Sequence, residues 1–222
     1  MSNILDLLSM RIENLQVPDT YQKIWNDINL PIQSEKILKW NVPISESNEI
    51  LHKLSKRAFF LTTLADYYGA KNILEVGTSR GWQFFSFAEY CRQNNGHVWS
   101  CDIIDHCNKE YLQEYSDVAT FVLGDSKNLS DVLKESEVKI DLFYIDGSHA
   151  KNAVIKDVSN LKKLQNKEKL PVWIFDDYDE RFGCYQDISQ IVRSSPSYFV
   201  YSHGRTASGN PNHQAIIRGF FK

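Results

Sequence analysis

The chain has 222 residues, of which 42% are hydrophobic and 24% charged, and 25 Lys and Arg against 28 Asp and Glu give a net charge of -3. This composition argues against a disordered protein, and the lack of a basic stripe argues against a nucleic-acid partner. The apolar runs are too short for a membrane span, and the N-terminus lacks the charged-then-apolar pattern of a signal peptide, so we expect no membrane partner. The four cysteines form no CxxC pair, and we expect a reduced, cytoplasmic protein.

The N-terminal segment differs in pattern from the rest of the chain. Three prolines break it into short pieces, which predicts a helical cap over residues 1–47 and a main domain over residues 48–222. From about Asn48 to Tyr68, apolar residues recur at helical spacing, and we expect Gly69 to end this helix.

After Gly69, short apolar runs alternate with amphipathic stretches, which is the pattern of βαβ units around a parallel sheet. The predicted strands are Asn72–Gly77, His97–Ile103, Thr120–Leu123, Ile140–Ile145, Val172–Phe175, Tyr198–Tyr201 and Gln214–Phe220. The predicted helices are Trp82–Gln93, Lys109–Tyr115, Leu129–Lys134, Ala150–Leu164 and Tyr185–Arg193. Because a polar loop joins the last two strands, we expect an α/β, Rossmann-like, seven-stranded and mostly parallel sheet with helices on both faces and an antiparallel C-terminal hairpin.

The loop after the first predicted strand carries the sharpest local signal. Residues 73–82 read ILEVGTSRGW, in which Glu75, Gly77 and Gly81 lie between a strand and a helix. Glycines in such a loop let the backbone approach a ligand, and the helix N-terminus favours anionic groups. The loop has neither the GxGxxG pattern of dinucleotide-binding proteins nor the lysine of a P-loop.

Polar residues also follow the next two predicted strands. Asp102 ends the second strand, where an acid can accept hydrogen bonds from both ribose hydroxyls. Asp125 and Ser126 follow the third strand, where a carboxylate and a hydroxyl could hold an adenine amino group. All these residues belong to the carboxyl ends of parallel strands, where ligands of such sheets bind.

These three placements together resemble the class I S-adenosylmethionine-dependent methyltransferases over about residues 60–220. The resemblance implies that the first-loop acid and glycines face the methionine part of the cofactor, the acid after strand two the ribose, and the acid after strand three the adenine. Trp82 could wall this pocket or belong to the core. The implied cofactor-binding residues are Glu75, Gly77, Thr78, Gly81, Trp82, Asp102, Asp125, Ser126 and Asp146.

Carboxylates follow the fourth and fifth predicted strands as well. Asp146 lies in IDGSHAK, and Asp176 and Asp177 lie in FDDYDE. If these strands are neighbours, three carboxylates meet beside the cofactor, and such like charges repel unless protons or a cation compensate them. Oxygen ligands suit Mg²⁺, with manganese and calcium as alternatives. These acids could instead have a purely structural role, Asp146 in a plain turn and Asp177 as the cap of the following helix.

The acid pattern resembles the metal-dependent O-methyltransferases, including catechol O-methyltransferase, and is closer to the macrocin O-methyltransferase group, in which the pair after strand five is Asp-Asp. The resemblance implies that Asp146, Asp176 and Asp177 are the metal ligands. The catechol family has a lysine base three residues after the first ligand, where this chain has His149. Histidine can act as a base near neutral pH, and Lys151 is the fallback. The catalytic residues implied are His149, Asp146 and Lys151.

The resemblance implies that the acceptor is a hydroxyl of a small molecule or carbohydrate, and the likeness of the Asp-Asp pair to the macrocin group favours a sugar or sugar-linked metabolite. No NPPY or DPPY motif follows the fourth strand, which argues against methylation of nucleic-acid bases. The rival interpretations are a non-catalytic cofactor-binding module, a methyltransferase that acts on a non-sugar small molecule or on another type of atom, and a nicotinamide-dependent oxidoreductase. Candidate specificity residues are Tyr178, Arg181, Phe182, His203, Arg205 and His213, and the apolar residues Trp25, Trp40, Phe220 and Phe221 suggest an interface such as that of a homodimer.

Overall fold

The computed structural model describes residues 17–28, 57–195, 198–205 and 211–222. Two N-terminal helices, α1 and α2, include residues 19–28 and 57–67. The strands that follow are β1 Asn72–Val76, β2 His97–Asp102, β3 Ala119–Leu123, β4 Leu142–Ile145, β5 Val172–Phe175, β6 Tyr198–Arg205 and β7 Pro211–Arg218. The helices between them are α3 Trp82–Asn94, α4 Lys109–Glu114, α5 Ser126–Glu135, α6 Ala153–Leu161, followed by a 3-10 turn Lys162–Leu164, and α7 Tyr185–Ser194.

The strands form one sheet in the order β3-β2-β1-β4-β5-β7-β6. Neighbouring strands from β3 to β5 run parallel, whereas β7 is antiparallel to both β5 and β6. The mostly parallel α/β sheet and the antiparallel C-terminal hairpin are therefore confirmed. The direction in which strands are added reverses at β1, and ligands of such sheets bind at the carboxyl ends beside this switch point.

Two hydrophobic layers cover the two faces of the sheet. One contains residues of α1 to α4, and the other contains residues of α5 to α7. Successive strand residues point to opposite faces, so Tyr144 belongs to the first layer while Phe143 belongs to the second. In the second layer, the ring of Phe143 stacks on Trp173 with 3.8 Å between centroids. Within the described ranges, no helix is both long and apolar enough to cross a membrane.

Helix α1 is part of the core. Trp25 is 1% exposed, its Nε1 donates a hydrogen bond to Ser86 Oγ at 3.1 Å, and its ring stacks on Trp82. Trp25 is therefore not available for the interface that the sequence suggested. Phe221 packs against Trp173, Phe220 is exposed, and Trp40 lies outside the described residues, as do most of the predicted cap and the first part of the predicted helix from Asn48.

Candidate active site

Two glycines shape the loop between β1 and α3. The φ angles of Gly77 and Gly81 are 98° and 101°, which residues with a side chain rarely adopt. A Cβ at Gly77 would lie 2.0 Å from the carbonyl oxygen of Asp146, and one at Gly81 would lie 2.2 Å from the ring of Phe85. Both positions therefore require glycine, and Gly77 brings this loop against the backbone that follows β4.

A cavity of about 630 Å³ opens at the carboxyl ends of β1 to β4. Pockets for ligands of cofactor size span roughly 300–1,000 Å³. Five of the predicted cofactor-binding residues line it, namely Gly77, Asp102, Asp125, Ser126 and Asp146. Its wall also includes residues that sequence reasoning missed, namely Ile103, Ile104, Lys156 and Asp157. Ile103 and Ile104 are 73% and 52% exposed, so the cavity offers an apolar surface beside Asp102.

Four predicted cofactor-binding residues do not line this cavity, namely Glu75, Thr78, Gly81 and Trp82. Glu75 is fully buried, and its Oε2 accepts a hydrogen bond from Ser100 Oγ at 2.6 Å. The Ser100 hydroxyl is also hydrogen-bonded to Thr78 Oγ1. Burial raises the pKa of Glu75 to about 8, so this carboxyl is largely protonated at neutral pH. Of the two roles considered for Trp82, its stacking on Trp25 supports the core.

The carboxylate of Asp102 is fixed at the cavity by the backbone. Its Oδ2 accepts a hydrogen bond from the N–H of Ser79 at 2.7 Å, and its Oδ1 accepts one from the N–H of Ile104 at 3.1 Å. Each carboxylate oxygen has further acceptor capacity. Asp102 can therefore accept hydrogen bonds from a ligand without giving up these contacts.

Asp125 has a structural role that the sequence did not reveal. It caps α5, because its Oδ1 accepts hydrogen bonds from the backbone N–H groups of Lys127 and Asn128 at 3.0 and 3.2 Å. Its Oδ2 lies 3.2 Å from Lys156 Nζ. The carboxylate is thus already engaged on both oxygens, and a contact to an adenine amino group would be an additional one.

Ser126 and Asp157 connect two helices at the cavity. Ser126 Oγ donates a hydrogen bond to Asp157 Oδ1 at 2.6 Å and accepts one from Asn160 Nδ2 at 2.9 Å. Burial raises the pKa of Asp157 above its ordinary value. The Ser126 hydroxyl is therefore committed to joining α5 to α6.

Asp146, His149 and Asp177 converge where β4 and β5 end. One nitrogen of His149 and one oxygen of each carboxylate lie within 4.8 Å of one another, so this group could coordinate one metal ion. His149 Nε2 is 2.6 Å from Asp177 Oδ2, a contact that raises the pKa of His149. Asp177 has a φ of 52°, an uncommon left-handed conformation for a residue with a side chain. This backbone conformation and the contact with His149 together fix the Asp177 carboxylate beside Asp146.

Asp176 is held by a different set of contacts. It is buried, and its Oδ2 accepts hydrogen bonds from Arg57 Nη1 at 3.1 Å and from the Tyr144 hydroxyl at 2.8 Å. The same hydroxyl lies 3.1 Å from Asp146 Oδ2. Burial, and after it the charge of Asp176, raises the pKa of Asp146 well above its usual range. Among the residues described, the structure thus brings Asp146 and Asp177 together with His149, but it does not bring Asp176 into that group.

Sequence reasoning missed Arg57. The only signal in the sequence was a cation at the edge of an apolar helical pattern, and such residues are ordinarily solvated. Lys151, the fallback base, is exposed in the turn between β4 and α6.

A second cavity, of about 530 Å³, lies beside the residues that follow Asp177. Three predicted specificity residues line it, namely Tyr178, Arg181 and His213. The rings of Tyr178 and Tyr185 are stacked, with 5.0 Å between centroids. Phe182 instead packs against His149, and the side chains of His203 and Arg205 lie outside the described part of the chain.

Comparison with known proteins assigns this arrangement to a known fold. Residues 74–178 match a family model described as a methyltransferase domain. The O-methyltransferase of Bacillus cereus, solved with S-adenosylhomocysteine, is 16% identical, with a TM-score of 0.64 over 93% of this chain and 94% of that chain. The O-methyltransferase TomG of Streptomyces achromogenes, involved in tomaymycin synthesis and solved with S-adenosylmethionine, is 13% identical, with a TM-score of 0.64 over 99% of this chain and 100% of that one. The methyltransferase PaMTH1 of Podospora anserina, solved with S-adenosylhomocysteine, is 15% identical, with a TM-score of 0.59 over 99% and 96%.

Among curated proteins, no relative matches the chain. The identities to the solved structures are low, so they show the fold, while the matched family model covers β1 to the loop after β5. Residues 74–178 therefore match a methyltransferase domain, and the chain shares its fold with solved O-methyltransferases.

Proposed function

We propose that this protein is a methyltransferase that transfers the methyl group of S-adenosylmethionine to a hydroxyl group of a small molecule, preferably a sugar or a sugar-linked metabolite, with the help of Mg²⁺ or another divalent cation. The observation that carries this proposal is the position of Asp146. It lines the cofactor-sized cavity and also belongs to the group of metal-binding donors with His149 and Asp177. A methyl donor in the cavity and an acceptor hydroxyl at the donor group would therefore be adjacent.

The cavity suits a nucleoside with a charged amino-acid tail. Asp102 would accept hydrogen bonds from the ribose hydroxyls, since both its oxygens are already oriented by backbone N–H groups. The exposed side chains of Ile103 and Ile104 would cover one face of the adenine. The close approach of Gly77 to the Asp146 backbone would bring the β1 loop, and a cofactor bound to it, next to Asp146.

The chemistry of the donor group fits a divalent cation. Two carboxylates and an imidazole within 4.8 Å of one another are donor types that divalent metals accept. A cation bound there would lower the pKa of an acceptor hydroxyl and fix its orientation. Asp146 and Asp177 would contribute carboxylate oxygens to it, whereas Asp176 is already paired with Arg57.

Methyl transfer to an alcohol requires removal of the hydroxyl proton, and His149 is the titratable nitrogen of this group. Two roles in this step fit its position, namely general base, as the sequence predicts, and ligand to the cation. The rest of the rate enhancement would come from holding the oxygen, the methyl carbon and the sulfur in line.

The second cavity is the proposed acceptor site. Tyr178 follows Asp177 directly in the chain, and its stacked ring pair with Tyr185 provides an aromatic wall against which the apolar face of a sugar could pack. Arg181 and Asp179, which are hydrogen-bonded to each other, add polar groups that can bind sugar hydroxyls.

The test uses methyl-labelled S-adenosylmethionine with four acceptor pools: small metabolites, nucleotide sugars with polysaccharide, RNA and protein. Each pool is run with Mg²⁺ and with chelator, and binding of S-adenosylhomocysteine and of NAD is measured separately by calorimetry. Cation-dependent label in the small-molecule or sugar pool supports the proposal. Label in RNA or protein overturns the acceptor class, firm cofactor binding without label favours a non-catalytic module, and binding of NAD alone favours an oxidoreductase.

A further inference from the structure

Asp176, one of the three carboxylates predicted to bind the metal, already forms an ion pair with the side chain of Arg57. Arg57 Nη1 in α2 lies 3.1 Å from Asp176 Oδ2, and the side chains of the two residues are 11% and 3% exposed. The same oxygen accepts the hydroxyl of Tyr144 at 2.8 Å. A metal ion at this oxygen would compete with both donors for its two lone pairs, and loss of the Arg57 contact would leave a buried guanidinium without its partner.

His149, rather than Asp176, completes the group of candidate metal donors with Asp146 and Asp177. Asp177 has a left-handed backbone conformation, and its carboxylate lies 2.6 Å from His149 Nε2. The donor atoms that converge on one point are therefore two carboxylate oxygens and one imidazole nitrogen.

We infer that the divalent cation is held by Asp146, His149 and Asp177, and that Arg57 keeps Asp176 out of the metal-ligand set. This inference rests on the cation assistance in the proposed function and changes the ligands that the sequence predicted. It assigns His149 to the metal rather than to proton transfer, and binding of the cation would release any proton held by Nε2.

The mixed donor set has a consequence for metal preference. Mg²⁺ and Ca²⁺ favour oxygen-only sites, whereas an imidazole donor suits transition metals such as Zn²⁺, and affinity at sites with nitrogen and oxygen donors rises from Mn²⁺ to Zn²⁺. The protein should therefore bind Mn²⁺ and Zn²⁺ more tightly than Mg²⁺, by at least about tenfold.

The first experiment measures binding of Mn²⁺, Zn²⁺ and Mg²⁺ to the metal-free full-length protein by calorimetry, without acceptor and without turnover. His149→Ala should weaken Mn²⁺ binding by at least about tenfold and reduce the preference for Mn²⁺ over Mg²⁺. Asp176→Asn should weaken Mn²⁺ binding clearly less than Asp177→Asn does, since Asp176 would not touch the ion. Glu180→Gln, which removes an exposed acid from the same loop, is the matched control and should leave the affinity unchanged.

The inference is overturned if Asp176→Asn weakens Mn²⁺ binding as much as Asp177→Asn does, if His149→Ala leaves it unchanged, or if the wild-type protein binds none of the three ions. Because Asp176→Asn also alters a buried ion pair, its fold is checked by circular dichroism. A second measurement needs no variant: pulsed electron paramagnetic resonance of bound Mn²⁺ should show the coupling of a directly bound imidazole nitrogen, and absence of this coupling overturns the inference. Binding of S-adenosylhomocysteine, measured on the same samples, separates this outcome from a failure of the proposed function.

Discussion

Arg57 and Asp176 are 119 residues apart in the sequence, yet they form a buried ion pair that joins α2 to the end of β5. The pair connects an N-terminal helix to the edge of the sheet where the donor group lies. The Asp176 carboxylate is also held from β4, because the Tyr144 hydroxyl donates a hydrogen bond to it. The stability of the sheet and the position of the acid pair after β5 therefore depend on a residue outside the region that the methyltransferase family model matches.

Removal of this guanidinium should be costly. Arg57→Met leaves the Asp176 carboxylate buried without its cation, and such changes typically destabilise a protein by about 3–5 kcal/mol. Urea unfolding followed by circular dichroism measures the loss. Lys156→Met, which breaks the exposed ion pair with Asp125, is the control and should cost no more than about 1 kcal/mol. Equal losses of unfolding free energy in the two variants would show that the buried ion pair contributes no more to stability than the exposed one.

Gly77→Ala should disrupt both folding and cofactor binding. A methyl group there would meet the Asp146 carbonyl oxygen at 2.0 Å, so the β1 loop and the β4 loop must separate. Gly69→Ala is a sharp control, because Gly69 also has a positive φ but nothing lies within 4 Å of its Cβ position. The control should lose about 1 kcal/mol of unfolding free energy from backbone strain alone. Calorimetry should show that only Gly77→Ala loses S-adenosylhomocysteine binding, and retained binding would contradict the close approach.

Glu75 should make the cofactor-free protein less stable as the pH rises. The pKa of its buried carboxyl is raised to about 8, whereas the unfolded value is near 4.5. Between these values the folded state keeps a proton that the unfolded state releases, so the contribution of Glu75 to stability is highest below about pH 4.5 and declines until about pH 8. The decline amounts to on the order of 5 kcal/mol.

The pH effect is isolated by comparison with Glu75→Gln, which cannot ionise. The unfolding free energy of this variant should exceed that of the wild type more at pH 8.5 than at pH 5. Glu114→Gln, at an exposed position in α4, should run parallel to the wild type. A constant difference between Glu75→Gln and the wild type over this range would show that Glu75 is already ionised in the folded protein.

Asp102 and Asp125 should differ in what their loss affects. Asp102→Ala removes a carboxylate oriented toward the cavity by two backbone N–H groups and should weaken S-adenosylhomocysteine binding by about 10- to 100-fold. Asp125→Ala removes the cap of α5 and should lower the unfolding free energy by about 1 kcal/mol with a smaller effect on affinity. Calorimetry and urea unfolding of both variants measure the two effects. Similar affinity losses would show that Asp125 is as important to the ligand as Asp102.

The elements of the sheet could be predicted from the sequence because each has a local signature. β5 matches its prediction, Val172–Phe175, residue for residue, since a short apolar run is bounded by polar turns. The position of α1 could not be predicted in this way. Trp25 stands among polar residues in the sequence. That it faces the core is evident only from its contacts with Ser86 and Trp82, which lie far away in the chain.

The candidate site was predictable to the extent that strand ends define it. Asp102 and Asp146 line the cavity because parallel strands present their carboxyl ends together. The partner of each carboxylate was not predictable, since Arg57 reaches Asp176 from a helix more than a hundred residues earlier. Likewise, the capping of α5 by Asp125 competes with the ligand role that the resemblance implied.

The position of β7 has a consequence for how the protein is made. β7 lies between β5 and β6 in the sheet, although it is the last of these strands to be synthesised. While the ribosome is still adding residues before Pro211, one edge of β5 has no partner, and β6 has no neighbouring strand to join. Exposed strand edges pair readily with other chains, so a nascent chain stalled in this interval should be the form most prone to aggregate and most dependent on chaperones.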